Sequence, residues 1–295
     1  MEHQHTMEHA VHFTAAGKQL IGVSHTAING TANIAVLILV GGPQTRVGSH
    51  RQFVLLSRYL AQNGYSSMRF DYAGMGDSDG VDADFMNVSD DIEQAIHTLK
   101  QHSGGAKVVI WGLCDAASSA LIFARKKTCD DLAGMILLNP WVRSEQGEAK
   151  AIIKHYYLNR LKDRAFWAKV LSLKFDIKSS VHSLSANLLK MTGKKVDSQT
   201  KNEIKTTDEN YIGHMLDGLK IFEKPIMLII SGDDLTASEF IDLTESSKDW
   251  KGVVEQKVSQ RVTIAAANHT FSSQQWRHEV EAASLAWLQG LNSLQ

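Results

Sequence analysis

Residues 106–120, AKVVIWGLCDAASSA, join a short apolar run to a stretch of small residues, with a break at Gly112. An apolar run of strand length followed at once by an alanine-rich segment is typical of a strand, a sharp turn and a helix. Cys114 then lies at the apex of the turn. Gly112 and Ala116, two places either side of it, are small, as a strained turn requires. The stretch is a cysteine variant, G-x-C-x-A, of the G-x-S-x-G nucleophile elbow.

The same five residues also fit a buried cysteine that packs as a small hydrophobic side chain, the commoner environment of cysteine. The only other cysteine, Cys129, precedes Asp130 and Asp131 in a predicted loop, where carboxylates disfavour a thiolate. Two cysteines without a C-x-x-C or H-E-x-x-H pattern favour free thiols and give no support for a zinc site. The loop at 71–80, DYAGMGDSDG, lacks the glutamate that closes a calcium loop. We therefore predict neither a metal nor another cofactor.

The composition is that of an ordinary globular protein. The 295 residues are 43% hydrophobic and 21% charged, with a formal net charge of -1, so nothing indicates a nucleic-acid partner. No apolar run approaches the roughly 20 residues that a membrane span needs, and residues 1–13 lack the cationic and apolar segments of a signal peptide. The sequence predicts a cytoplasmic protein without an integral membrane segment.

Strands alternate with helices on both sides of the elbow. The continuous apolar run at 33–40 is typical of a parallel strand that is covered on both faces. The predicted strands are a pair within 11–28 around Ala16-Gly17, then 33–40, 66–71, the run before the elbow, 132–140, 225–234 and 261–270. The predicted helices are about 50–64, 88–103 with Ser89 as its cap, 115–127, 237–247 and 273–291. This alternation predicts an α/β protein with a doubly wound, mostly parallel sheet.

Residues 141–223 differ from the rest of the chain, because they contain no strand-like apolar run and more lysine and arginine than aspartate and glutamate. We predict a helical cap or lid insertion here, with helices at 146–173 and 178–191, between core segments 1–140 and 224–295. The positive charge indicates either an anionic substrate or a solvated helical face.

Two strands after the elbow end in residue types that a catalytic triad uses. Asp233 and Asp234 follow the apolar run IMLIISG, and His269 follows VTIAAAN. Because the carboxyl ends of parallel strands meet at one edge of a sheet, these side chains can converge with Cys114. The chain order nucleophile, acid, histidine is that of α/β-hydrolases. We predict that fold, with a triad of Cys114, Asp234 and His269. Asp233 is the alternative acid, and a capping aspartate or a core histidine is the structural alternative.

Each member of the predicted triad has a chemical task. An adjacent imidazole and the amino end of a helix are expected to favour the thiolate of Cys114, which attacks an acyl carbon. His269 is the base and later the proton donor. Asp234 accepts a hydrogen bond from the other ring nitrogen and so fixes the tautomer.

An acyl-transfer site also needs donors for the oxyanion. The backbone N–H of Asp115, at the start of the elbow helix, is the expected first donor. Pro43 lies in the loop after the strand at 33–40 and has no N–H, so we assign the second donor to Gln44. His50 and Arg51 follow in that region, either as contacts to an anionic substrate or as ordinary surface residues.

Five motifs together resemble one family of α/β-hydrolases. They are VGGPQTRVGSHRQF, FDYAGMGDSDG, WGLCDAASSA, LNPWVR and SGDDLTASEF. The resemblance is to the type 1 hydrolases associated with the exosortase A system, which bacteria carry beside exopolysaccharide and protein-sorting genes. It implies Cys114, an acid in GDDLTA and His269 as the triad, and it says little about the cap. The thiol nucleophile is also similar to that of dienelactone hydrolases.

The sequence as a whole predicts an acyl hydrolase or acyltransferase that acts on a small-molecule ester or thioester through a thioester at Cys114. The family resemblance adds acylated saccharides or lipid-linked intermediates of polysaccharide assembly as substrates. The alternative is a binding or scaffold protein that kept the fold and lost turnover, which the cysteine, Ala116 and Pro43 all favour. A redox-sensing thiol is a third interpretation.

Overall fold

The computed structural model describes residues 7–27, 32–81, 84–143 and 211–293. The strands are β1 (Met7–Ala15), β2 (Lys18–Thr26), β3 (Ile34–Leu39), β4 (Ser67–Phe70), β5 (Lys107–Leu113), β6 (Leu132–Leu138), β7 (Ile226–Ser231) and β8 (Val258–Ile264). The helices are α1 (Gln52–Gln62), α2 (Ser89–His102), α3 (Asp115–Lys126), α4 (Tyr211–Ile221), α5 (Leu235–Ser246), α6 (Lys248–Lys257) and α7 (Gln274–Asn292). Short 3₁₀ turns lie at Ser49–Arg51 and Phe85–Asn87.

One eight-stranded sheet has the order β1-β2-β4-β3-β5-β6-β7-β8. β1 pairs with β2, and β2 with β4, in antiparallel register, whereas every pairing from β4 through β8 is parallel. The predicted mostly parallel sheet with flanking helices is confirmed. Its central strands β3, β6 and β7 are buried along their whole length, as continuous apolar runs require when helices cover both faces.

Two local predictions were wrong, and one helix was not predicted. The last strand ends at Ile264 rather than at 270, because Ala267 donates its N–H back to Ile264 O in a turn and its carbonyl accepts the N–H of Asp233. The cap of α2 is Val88, which makes no side-chain capping bond, so Ser89 is already helical. Helix α6 was not predicted, since Trp250 is its one fully buried side chain and its other apolar residues, Val253 and Val254, are only partly buried.

The contact pattern divides the chain into two compact units, Met1–Glu148 with Asn210–Gln295, and Ala149–Glu209. The described residues all belong to the first unit. Helix α4, from the predicted insertion, packs against α3 so closely that a Cβ at Gly218 would collide with the carbonyl of Leu121. The predicted helices at 146–173 and 178–191 lie outside the described residues, and the assignment of 141–223 as a cap stays a prediction.

Candidate active site

Cys114 forms the link between β5 and α3, in a backbone conformation that a residue with a side chain rarely adopts. Its φ is 64° and its ψ is -126°. Its N–H donates to Leu138 O at 2.9 Å, and its carbonyl accepts the N–H of Ala117 at 3.0 Å. The strained turn is therefore held by bonds to the end of β6 and to its own helix, and the predicted strand, turn and helix are confirmed.

Small neighbours make this turn sterically possible. A Cβ on Gly112 would lie 2.9 Å from the carbonyl carbon and oxygen of Ala116, which is closer than real side chains come. A Cβ on Gly41, in the facing loop, would collide with Leu113 O and with the carboxylate of Asp115. The elbow and this loop are thus packed backbone against backbone.

The predicted acid and histidine are hydrogen-bonded to each other. Asp234 caps α5, and its Oδ2 accepts the N–H of Ala237 at 2.9 Å and lies 2.9 Å from Nδ1 of His269. The Asp234 side chain is 7% exposed and that of His269 is 34% exposed. A neutral imidazole that donates from Nδ1 has Nε2 as its acceptor, which is the arrangement a general base needs. Asp233, in the same turn, is exposed and is not the residue bonded to this nitrogen.

Asn139, which sequence reasoning missed, ties the histidine loop to the sheet. It is fully buried at the end of β6 with a φ of 42°. Its Oδ1 accepts the N–H of Ser231 at 2.9 Å, and its Nδ2 donates to Ser231 Oγ at 2.6 Å and to the carbonyl of His269 at 3.3 Å. A polar residue directly after an apolar strand was the signal that could have found it.

The electrostatics of the thiol contradict the expected thiolate. Burial raises the pKa of Cys114 to about 12, with the charges of Asp115 and Asp234 adding to the effect. The backbone N–H of Asp115 and the charge of Arg143 oppose it. The adjacent imidazole and the helix amino end were expected to favour the thiolate, but desolvation of the sulfur is the largest effect on its pKa. The thiol is therefore protonated at neutral pH, and a base must remove its proton during attack.

The loop after β3 meets the elbow through the side chain of Asp115. Both carboxylate oxygens accept the backbone N–H of Gly42, at 2.7 and 2.8 Å. Burial raises the pKa of this carboxyl, while the N–H groups of Gly42, Ala116 and Asp115 itself and the charge of His269 lower it. The N–H of Asp115, the predicted first oxyanion donor, thus faces a carboxylate of its own residue.

Gln44, the predicted second donor, already has a backbone partner. Its N–H donates to Gly42 O at 2.8 Å and closes a three-residue turn around Pro43. Its side-chain Oε1 accepts the N–H of Ser49 at 2.9 Å. The loop N–H that reaches the elbow is that of Gly42, and a role for Gln44 requires the turn to open.

A buried ion pair anchors this loop to the end of β4. The side chain of Asp71 is fully buried, accepts the backbone N–H of Arg46 at 2.6 Å, and binds the Arg46 guanidinium. The guanidinium also contacts Asp77, and a Cβ at Gly76 would collide with the Asp71 carboxylate. The glycine- and aspartate-rich loop at 71–80 therefore fixes the position of the loop after β3 through Asp71 and Arg46.

His50 and Arg51 are both exposed and both left-handed, with φ of 54° and 60°. Their role toward substrate stays a prediction. The charge of another cation, Arg143, lowers the pKa of Cys114. The guanidinium carbon of Arg143 lies 4.4 Å from the ring centroid of Trp141, and its Nε is 3.3 Å from Oε1 of the buried Glu239.

Tyr211, on α4, lies next to Arg143. The Tyr211 hydroxyl donates to the carbonyl of Arg143 at 2.9 Å, and burial raises the pKa of the phenol above its ordinary value. The charge of Cys114 contributes to that shift, so the phenol and the thiol interact electrostatically. Neither Arg143 nor Tyr211 was predicted, because both lie in the segment assigned to the insertion.

Over the described ranges, no three histidine, cysteine, aspartate or glutamate side chains are grouped so that they could hold a metal ion. None of the helices within them has the length and apolar character to cross a bilayer.

The sheet order, the elbow at Cys114 and the Asp234–His269 pair define the fold of an α/β-hydrolase. The family described as serine aminopeptidase, S33, has a model that matches residues 32–239, and the chain belongs to this family. The matched residues include the elbow and Asp234. The description names serine, whereas this chain has cysteine at the elbow.

Relatives are similar over part of the chain, and solved structures over nearly all of it. The lysophosphatidylserine lipase ABHD12 of Gallus gallus is 33% identical over 108 residues, which are 37% of this chain and 27% of that protein. The chain thus matches about a quarter of the length of this curated relative. The Pyrococcus furiosus esterase Pf2001 has a TM-score of 0.62 at 16% identity, covering 96% of this chain and 92% of the esterase.

The α/β-hydrolase GrgF from Penicillium sp. sh18 has a TM-score of 0.61 at 17% identity, covering 97% of this chain and 98% of that one. At these identities the similarity concerns the fold alone.

Proposed function

We propose that the protein is an acyl hydrolase or acyltransferase that acts on a small-molecule ester or thioester through a thioester at Cys114. The observation that carries the proposal is the 2.9 Å bond between Asp234 and Nδ1 of His269, at the same edge of the sheet as the strained elbow. A histidine oriented by a buried carboxylate is poised to accept a proton on its other nitrogen. A strained residue at the start of a helix presents its side chain to substrate.

In the proposed reaction, Sγ of Cys114 attacks the acyl carbon while Nε2 of His269 takes the thiol proton. The tetrahedral intermediate collapses, the bond from the acyl carbon to the leaving oxygen or sulfur breaks, and His269 gives its proton to the leaving group. A water then attacks the thioester with His269 as base, which releases the acid and restores the thiol. An alcohol or amine in place of the water gives acyl transfer.

The pKa of Cys114 supports concerted base catalysis over a resting thiolate–imidazolium pair. With a pKa of about 12, only a minute fraction of the thiol is ionised at neutral pH. Removal of the proton as the carbon–sulfur bond forms avoids a free thiolate in a buried site. The mechanism then resembles that of a serine hydrolase, in agreement with the name of the family, which refers to a serine enzyme.

The substrate class rests on similarity. The solved structure of Pf2001 is described as an esterase and the curated relative as a lipase, which supports an ester. The resemblance to type 1 hydrolases of the exosortase A system points to acylated saccharides or lipid-linked intermediates in exopolysaccharide assembly. A cytoplasmic location stays a prediction from the sequence.

The test is covalent labelling matched to turnover. Hydrolysis of p-nitrophenyl acetate is followed in wild type, Cys114→Ala and the matched variant Cys129→Ala, before and after treatment with iodoacetamide. We expect Cys114→Ala to lose turnover and Cys129→Ala to keep it, with inhibition proportional to alkylation of Cys114. Turnover that survives in Cys114→Ala would reject the proposed nucleophile.

A second function, a binding or scaffold protein on this fold, is favoured by one observation: the carboxylate of Asp115 already accepts the N–H of Gly42 beside the elbow. Under this alternative, intact-mass spectrometry of the protein after exposure to a panel of acyl esters and thioesters finds no acyl adduct. Cys114 would still be alkylated by iodoacetamide in the same sample.

A further inference from the structure

We propose that the carboxylate of Asp115 occupies the oxyanion hole of the resting protein, and that a substrate carbonyl must displace it before acylation. This inference rests on the proposed function. It makes Asp115 a residue that determines which substrates react, because only an acyl group bound well enough to move the carboxylate gains the donors beneath it.

The contacts of Asp115 carry the inference. It is the first residue of α3, directly after the nucleophile, and both its oxygens lie within 2.8 Å of the Gly42 N–H. Its own N–H and that of Ala116 also act on the carboxylate. These are the N–H groups that an oxyanion needs, from the elbow helix and from the loop after β3. In the structure the Gly42 N–H is bonded to an anion that the chain itself supplies, and the N–H groups of Asp115 and Ala116 stabilise the same carboxylate.

Neighbouring backbone leaves the carboxylate little room where it lies. A Cβ at Gly41 would collide with one of its oxygens, and Asp115 raises the pKa of Cys114 by its charge. Pro43 removes the N–H that would follow Gly42 in the loop, so no donor at that position compensates for the one Asp115 takes. The hole therefore has few donors, and the carboxylate holds the one from the loop, the N–H of Gly42.

The carboxylate should therefore slow acyl transfer but not other reactions of the thiol. A tetrahedral intermediate places negative charge on the former carbonyl oxygen, which would lie against a carboxylate of like charge. Alkylation of the thiol by iodoacetamide displaces iodide from a saturated carbon and forms no oxyanion. The ratio of the acylation rate to the alkylation rate thus isolates the oxyanion hole from the general reactivity of the thiol.

The opposing interpretation is that Asp115 only braces the loop through Gly42, in which case its removal disorders the hole. The two interpretations predict opposite signs. If the carboxylate blocks the hole, the ratio rises in Asp115→Ala. If it braces the loop, the ratio falls.

The experiment measures both rates in wild type, Asp115→Ala, Asp115→Asn and the exposed control Asp130→Ala. Acylation is the burst of p-nitrophenol from p-nitrophenyl acetate, and alkylation is the mass shift of Cys114 with iodoacetamide. We expect the ratio to rise by about tenfold or more in Asp115→Ala, up to the roughly 10²–10³ that one oxyanion donor is worth. Asp115→Asn should lie between it and wild type, because the amide oxygen still accepts from Gly42 without the charge. Asp130→Ala should match wild type.

Formate provides a second readout. In Asp115→Ala the vacated N–H groups should bind this small carboxylate, which should slow acylation there and leave wild type unaffected. A ratio that is unchanged or lower in both Asp115 variants, with wild type acylated, would overturn the inference and leave the proposed function standing. An absence of acylation in all four proteins, with Cys114 still alkylated, would instead reject the proposed function. Circular dichroism shows whether each variant is folded, and Asp115→Asn keeps the measurement possible if Asp115→Ala is not.

Discussion

The two halves of the candidate site are prepared to different degrees. In the histidine half, Asp234 is bonded to His269 and the loop is fastened through Asn139. In the elbow half, the backbone of Cys114 is already strained, yet burial raises the pKa of its thiol to about 12, and the N–H of Gly42 is bonded to the carboxylate of Asp115. Under the proposed function, proton transfer is preorganised, while charge stabilisation is not. We therefore expect the barrier to acylation to lie at the oxyanion rather than at the base.

The largest effect should come from removing the base from the histidine half of the site. His269→Gln removes the base while leaving a side chain of similar size, and we expect acyl-ester turnover to fall by about 10³–10⁴. The measurement is kcat/KM with p-nitrophenyl acetate. His97→Gln, on the surface of α2 and half exposed, is the matched control and should change nothing. Equal activity of the two variants would contradict the assignment of the base.

The choice of acid is tested by a neighbouring pair. Asp234→Ala removes the partner of Nδ1 and should lower kcat/KM by about 10²–10³, because the imidazole loses its fixed tautomer. It should also lower the free energy of unfolding by about 1 kcal/mol, since Asp234 caps α5 through Ala237. Asp233→Ala, one residue away, should leave kcat/KM near wild type, because the carboxylate bonded to Nδ1 of His269 is that of Asp234. A larger loss in Asp233→Ala would transfer the role to that residue.

The pH dependence of alkylation probes the other half. Because burial raises the pKa of Cys114 to about 12, the thiolate fraction should rise about tenfold per pH unit through the alkaline range without a plateau below pH 11. The rate with iodoacetamide is followed in Cys129→Ala, so that one thiol remains. Asp115→Asn in that background removes a charge that raises the pKa, so its profile should shift to lower pH. A plateau near pH 8 would indicate a thiolate stabilised by His269.

The elbow and the aspartate and histidine that follow strands could be predicted from the sequence. Gly112 and Ala116 predict the elbow because its backbone tolerates only small neighbours. The aspartate and histidine follow apolar runs that form adjacent strands, and a parallel sheet brings such positions to one edge. The pairing of His269 with Asp234 agrees with the predicted choice over Asp233.

What could not be predicted depends on single side-chain conformations between distant residues. The bond of Asp115 to Gly42 joins positions 73 residues apart and requires the loop to turn its N–H toward the elbow. The pKa of Cys114 follows from how deeply the sulfur is buried, which no local pattern reports. Arg143 reaches the site through its stacking on Trp141, a contact set by the path of the chain after β6.

The smallest predicted effect concerns Asn139, which holds the histidine loop against the sheet. Asn139→Ala leaves the buried N–H of Ser231 without its side-chain acceptor and frees the carbonyl of His269. We expect the free energy of unfolding to fall by about 1–3 kcal/mol. We also expect kcat with p-nitrophenyl acetate to fall by about tenfold, the residue acting by position rather than by contact with substrate. KM should stay constant, because ground-state binding does not depend on the histidine, whereas a merely structural role would lower the amount of folded protein and leave kcat per active site unchanged. Titration of active sites by the p-nitrophenol burst separates these outcomes, with the exposed Asn63→Ala as the control.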